Sequence, residues 1–98
     1  MNKLKWFSSG IARGNQAVAI ITELLVELNN DSSSLPLQKV LDDYKVELEK
    51  KESSIPYILN RMNIAVSNVT LKNGISLSAS QSSKLEQLQK LSYIYYGY

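Results

Sequence analysis

Apolar residues recur along this chain at spacings of three and four, in four separate runs. In the first, Ala17, Ile20, Ile21, Leu24, Leu25 and Leu28 form one broad stripe, with Glu23 and Glu27 on the other side. That is the pattern of an amphipathic α-helix. Asn15 suits the cap position at its start, and NNDSSS at 29–34 ends it in a loop. The second run opens with Ser34, Leu35 and Pro36. Serine favours the cap, and proline fits the first turn because its missing N–H would have no partner there. Leu37, Val40, Leu41, Tyr44 and Leu48 then share a face, and Asp42, Asp43, Lys45, Glu47, Glu49 and Lys50 cover the opposite one.

Ser54, Ile55 and Pro56 repeat the same opening, followed by Ile58, Leu59, Met62, Ala65, Val66 and Val69. Asn73-Gly74 stops this third run, since glycine accepts the left-handed backbone that closes many helices. The fourth begins near Ser78, with Gln81 placed to complete a capping box. Leu85, Leu88, Leu91 and then Ile94 or Tyr95 make its stripe. ISLSAS at 75–80 alternates like a strand, but six residues between Gly74 and a helix start read as a loop. The spacing predicts helices over about 15–29, 35–51, 55–73 and 78–95. Four such helices with short connections bury their stripes best as an antiparallel four-helix bundle. The expected fold is all-α, one domain over residues 1–98. Residues 1–14 show no helical stripe and are read as an arm whose Trp6 and Phe7 pack on the bundle.

Composition narrows the function. The chain has no cysteine and no histidine. Disulfides and thiol chemistry are excluded, and the commonest general base and metal ligand are missing. Asp31 with Asn29 and Asn30 is too poor in carboxylates for a calcium loop. The glycines are scattered, so no phosphate-binding loop exists. Asp42-Asp43 and Glu47-Glu49 lie on a solvated helix face, and Ser82, Ser83 and Lys84 lack a glycine turn for an oxyanion hole. No enzymatic activity, metal or other cofactor is expected.

The longest apolar run, Ala17 to Ile21, is five residues, against about 20 for a membrane span. WFSSGIARGNQ after Lys3 and Lys5 is too polar for a signal sequence. The expected location is the cytoplasm. KLKW at 3–6 leaves room for a transient contact with the inner membrane face, although stable anchoring needs more.

The net charge of +2 conceals segregation. Residues 15–60 carry eight acids against four bases, whereas both ends are basic. Arg61, Lys72, Lys84 and Lys90 oppose Glu86 alone in the last third. A small regulatory protein that binds nucleic acid is the alternative this suggests. It is the weaker reading, because a few bases are little against the phosphate density of a duplex and the acidic middle repels it. Asn60, Arg61 and Asn63 read as polar residues that hold a neighbouring helix. Four of the last six residues are tyrosines, at 93, 95, 96 and 98. They either clasp the bundle or, with Lys84 and Lys90, form a recognition patch, a role that tyrosine and cations favour.

Several segments in order carry a resemblance: LKWFSSG at 4–10, AVAIITELL at 17–25, NRMNI at 60–64, NGISL at 73–77 and YGY at 96–98. Together they make the chain similar, over essentially its full length, to the immunity proteins of pediocin-like (class IIa) bacteriocins. The likeness is greatest to the branch found with enterocin- and mundticin-type bacteriocins. The resemblance implies a cytoplasmic four-helix bundle that protects a producing cell from its own bacteriocin. It implies a partner: the membrane components of the mannose phosphotransferase system in complex with the bacteriocin. The protein would engage them from the cytoplasmic side, as a monomer, and block pore formation. It also implies that the C-terminal half sets which bacteriocin is resisted. On that basis Lys84, Lys90, Tyr93, Tyr95, Tyr96 and Tyr98 are the expected contacts.

Overall fold

A computed structural model describes residues 9–50 and 53–94, with side chains described over 13–50 and 53–91. Among them are four α-helices: α1 (Ser9–Leu28), α2 (Leu35–Lys50), α3 (Ile55–Asn73) and α4 (Ala79–Ile94). A short 3-10 turn, Ser32–Ser34, precedes α2. The described residues contain no strand, and 75–78 are a loop as expected. Lys51 and Tyr95, expected at two helix ends, and the arm residues Trp6 and Phe7 lie outside the described residues.

Helix α1 departs from expectation at its start. It begins at Ser9, six residues before the anticipated cap Asn15, which is exposed inside the helix. Residues 9–14 are therefore helix and not arm. The reason lies in Gly14, which is buried against α3. A Cβ there would sit 3.1 Å from Ile55 Cδ1. A glycine that weakens the helix locally is thus the residue that lets α1 run close beside α3. Sequence spacing detects apolar stripes and is blind to such a contact.

The core draws on every helix. Ala17, Ile21, Leu24 and Leu28 of α1 meet Leu37, Leu41 and Leu48 of α2. Ile55, Ile58, Leu59, Met62 and Val66 of α3, with Leu85, Leu88 and Leu91 of α4 and Ile75 of the loop between them, complete the cluster. Helix α2 packs between α1 and α3, and α4 packs mainly on α1 and less on α3.

The corner between α1 and α2 is held by a polar knot that the sequence pattern does not reveal. Asp31 caps the 3-10 turn: its Oδ1 accepts from Ser33 N at 3.0 Å. Ser34 is fully buried. Instead of capping α2 with its hydroxyl, it donates to the Asp31 carbonyl at 2.7 Å. Gln38 Nε2 donates to the carbonyl of Leu28 at 2.8 Å and approaches Ser34 Oγ at 3.0 Å. Gln38 thereby serves a carbonyl that the end of α1 leaves open, and Ser34 serves one in the loop that follows. Ser54 occupies the cap position of α3 with extended backbone, but its hydroxyl makes no cap bond. Pro56 in the first turn removes an N–H that would need one.

The α3–α4 connection follows the sequence closely. Gly74 is left-handed, with φ 57 and ψ 40. Its N–H reaches the Leu71 carbonyl at 3.3 Å, and Ile75 N–H reaches the Thr70 carbonyl at 3.1 Å. This is a Schellman motif, with Ile75 buried beneath it. The capping box forms too: Gln81 N–H donates to Ser78 Oγ at 3.1 Å, and Ser78 N–H donates to Gln81 Oε1 at 3.0 Å.

No atom would obstruct a Cβ at Gly74, so Gly74→Ala isolates the backbone cost. It is expected to lower unfolding stability by about 1 kcal/mol, with an unchanged denaturant slope in urea melts.

Candidate functional site

Two of the six expected contact residues have described side chains, and the bundle uses them differently. Lys84 points from α4 towards α1. Its Nζ lies 2.8 Å from Glu27 Oε2 and 4.0 Å from Glu23 Oε1. It also donates to Ser80 Oγ at 3.2 Å, and Ser80 Oγ donates to Glu27 at 3.3 Å. Lys84 is therefore a clamp that holds α4 on α1. Lys90 is exposed on the outer side of α4. Tyr93 belongs to the last turn of α4 by its backbone. Its side chain, and Tyr95, Tyr96 and Tyr98 altogether, lie outside the described residues.

The structural reading of Arg61 and Asn63 holds. The Arg61 guanidinium lies 5.4 Å from the ring centres of both Tyr44 and Tyr57 and 3.0 Å from Glu47 Oε1. It joins α3 to α2 by an ion pair and by contact with two π faces. Asn63 Nδ2 reaches the Gln89 carbonyl of α4 at 3.5 Å. Two of the four bases counted in the last third are thus paired with acids on other helices.

The remaining surface features are apolar. Tyr57, Ile64 and Leu71 of α3 are exposed to 56%, 64% and 82%. Beside them, the line between α3 and α4 is incompletely filled. One groove there, about 290 Å3, is lined by Val66, Ser67, Thr70, Leu71, Leu85 and Gln89. A second of about 600 Å3 continues it past Leu85 and Gln89 to Leu77, Ala79, Ser82, Ser83 and Glu86. Thr70 Oγ1 is buried at this edge and has no hydrogen-bond partner. The sequence did contain a signal for this surface. Tyr57, Ile64 and Leu71 are seven residues apart, and only their position opposite the α3 core stripe separates them from it.

Among the described residues, no group of three or more metal-ligating side chains lies together. No described helix is long and apolar enough to cross a membrane. What the arrangement offers chemically is contact: an apolar ridge and an adjoining groove with Glu86 in its wall.

The Lys84–Glu27 pair has a definite pH signature. The hydrogen bond from Lys84 holds the Glu27 carboxyl below its ordinary value, and the same bond raises Lys84 above the ordinary lysine value. Glu27 then contributes fully above the ordinary carboxylate range, and this is lost as pH falls through its lowered folded value. Lys84 contributes fully below the ordinary lysine range, and this is lost as pH rises through its raised value. Glu27→Gln and Lys84→Ala should each lower Tm at neutral pH. Glu27→Gln should also remove part of the acid-side loss of stability, and added salt should narrow both differences.

Comparison with known proteins places this bundle. The family model described as the bacteriocin immunity protein family matches residues 12–93. A Carnobacterium maltaromaticum relative, an uncharacterized 9.1 kDa protein in the 3′ region of the BM1 immunity protein, is 47% identical over 81 residues. That alignment covers 83% of this chain and all of the relative. The crystal structure of an immunity protein that contributes to the self-protection of bacteriocin-producing Enterococcus mundtii 15-1A superimposes with a TM-score of 0.76 at 43% identity. It covers 81% of this chain and 95% of that one. The solution structure of PisI gives a TM-score of 0.76 at 49% identity, covering all of both chains. At these identities each is a relative and not the same protein. The match across all four helices, from 12 to 93, means that the chain belongs to the bacteriocin immunity protein family.

Proposed function

We propose that this immunity protein acts by binding and not by altering the bacteriocin chemically. It docks from the cytoplasmic side on a complex of a pediocin-like bacteriocin with the membrane components of the mannose phosphotransferase system. Occupation of that surface prevents the pore from forming. The observation that carries this reading is the family match over nearly the whole chain. The Enterococcus mundtii relative contributes to self-protection of a bacteriocin producer. The surface is consistent with a docking role, because the polar groups that could converge on a reaction centre are spent between helices. Glu27, Glu23 and Lys84 join α1 to α4, and Glu47 and Arg61 join α2 to α3.

The nucleic-acid reading loses ground for the same reason. With Lys84 and Arg61 paired to carboxylates, Lys72 and Lys90 are the cations of that half that make no ion pair among the described residues. Two cations release few counterions from a duplex. Lys90 and the tyrosines at 93, 95, 96 and 98 remain the proposed terminal contacts. Lys84 leaves that set, since Glu27 neutralises it.

Expression in a bacteriocin-sensitive strain tests the proposal. Survival against some members of a panel of pediocin-like peptides and not others is expected. The tagged protein should retain the mannose phosphotransferase membrane components only in cells exposed to the cognate peptide. Replacing Tyr93, Tyr95, Tyr96 and Tyr98 with Ala should abolish protection while leaving helical circular dichroism intact. Survival no better than the empty vector, with folded and abundant protein, would overturn the reading.

A further inference from the structure

The seam between α1 and α4 is incompletely filled. Two depressions lie along it. One, of about 340 Å3, is walled by Gln16, Ala19 and Ile20 of α1 and by Gln87 and Leu91 of α4. The other, of about 370 Å3, is walled by Thr22, Glu23, Val26 and Glu27 of α1 and by Lys84 of α4. Val26 is 69% exposed there. Helix α4 runs antiparallel to α1, so Leu91 stands by Ile20 and Lys84 by Glu27. The depressions therefore follow one another along a single line.

The two ends of this line differ in charge. At the far end two carboxylates share one ammonium: Lys84 Nζ lies 2.8 Å from Glu27 and 4.0 Å from Glu23. The Glu23 side chain is 63% exposed and can accept a further cation. At the end near the start of α1 the described charges are cations. Arg13 precedes Gln16 by one turn, and exposed Lys90 follows Gln87 by one turn. An occupant that matches the whole line is aromatic beside Arg13 and Lys90 and basic beside Glu23.

The chain itself contains such a segment. Residues 1–8 precede α1 and lie outside the described residues. Within them Lys3, Leu4, Lys5 and Trp6 alternate in polarity, and Phe7 follows. In an extended chain Leu4 and Trp6 share one face, and Lys3 and Lys5 the other. The length also fits. Ser9 to Glu23 is about 21 Å of helix at 1.5 Å per residue. From Ser9 back to Lys3 an extended chain reaches about 20 Å, and the lysine side chain covers the rest. The tyrosine end of the chain is too short for the same path. Ile94 is about 15 Å along α4 from Lys84. The four residues after Ile94 reach about 13 Å when straight, and they would first have to reverse direction.

We infer that residues 3–7 fold back along the α1–α4 seam of their own bundle. Trp6 fills the depression between Ile20 and Leu91, Leu4 lies farther along the seam towards Val26, and Lys3 and Lys5 face Glu23. Arg13 and Lys90 meet the aromatic rings, a favourable contact for a cation. Gln16 and Gln87 on the lips offer carbonyls to the indole N–H, which needs an acceptor once covered. This goes beyond the docking role proposed above, and its test does not pass through survival.

Trp6 is the single tryptophan of the chain, so its fluorescence reads the arm without a label. In the folded full chain its emission should lie to the blue of the urea-unfolded chain, and acrylamide quenching should be severalfold weaker. NOE cross-peaks should join the indole protons to the methyl groups of Ala19, Ile20 and Leu91. Ala19→Arg fills the depression at an exposed helix position and should raise quenching severalfold with Tm within a few degrees. Ile64→Arg, on the outer face of α3 and 64% exposed, is the control and should change nothing. Lys3→Glu with Lys5→Glu should also raise quenching, and adding Glu23→Lys should restore protection. Added salt should narrow the effect of these charge changes. Five results would each overturn the inference. Trp6 is as quenchable in the folded as in the unfolded chain. Its protection ignores Ala19→Arg, or the reversal at Glu23 fails to restore it. Its cross-peaks lie elsewhere on the bundle. Its protection rises with protein concentration, which would assign the arm to a second copy. Its protection arises only with anionic vesicles, which would assign it to a lipid surface.

Discussion

The narrow stripe of α4 constrains the surface of this bundle. Leu85, Leu88 and Leu91 are the buried apolar residues among its described side chains, and each is three positions after the last. A three-residue step falls short of a full turn by about 60°, so the leucines wind around α4 instead of running along it. A winding stripe cannot stay in contact with two neighbours at once. At its start Leu85 lines the grooves on the α3 side, and at its end Leu91 lines a depression beside Ile20 of α1. Lys84 settles the competition locally by fastening α4 to Glu27. What remains is a gap along α3, and the outward residues of α3 border it.

The opposite corner is built on different terms. Helices α1 and α2 join through the Gln38 amide, which serves the open Leu28 carbonyl of α1, and the buried Ser34 hydroxyl, which serves the Asp31 carbonyl of the loop. Helices α1 and α3 approach through a glycine. One side of the molecule is thus closed by satisfied polar groups and small residues, and the other is left partly open. The acids follow this division, since among the described residues Glu86 alone lies on α3 or α4, whereas the cations are shared between the two sides.

Much of this could be read from residue order because it is local. Stripes at three and four, the Asn73-Gly74 stop and the Ser78–Gln81 box depend on residues within one turn of each other, and all appear as expected. Ser34 and Ser54 show where local reasoning fails. Both stand at helix starts, yet one hydroxyl turns back to the Asp31 carbonyl of the preceding loop and the other makes no cap bond, since a cap competes with whatever the fold brings near. The Lys84–Glu27 pair joins residues far apart in sequence, and its register depends on how two helices slide. The Gly14 contact with Ile55 has the same origin, and with it the early start of α1. The line on α3 was legible in its spacing. An apolar residue at helical spacing is ordinarily assigned to the core, and only the position of α2 and α4 shows that these three are not in it.

The loop joining α3 to α4 is fastened at both ends, by the left-handed turn at Gly74 over buried Ile75 and by the reciprocal bonds of Ser78 and Gln81. Few rotatable bonds are left free between the two helices. A partner docking on this hairpin would therefore find its final shape in place, and little chain entropy would be surrendered on contact. Encounter would then be limited by diffusion and orientation and not by folding. Variants within the hairpin face would differ mainly in how long the complex lasts, not in how fast it forms.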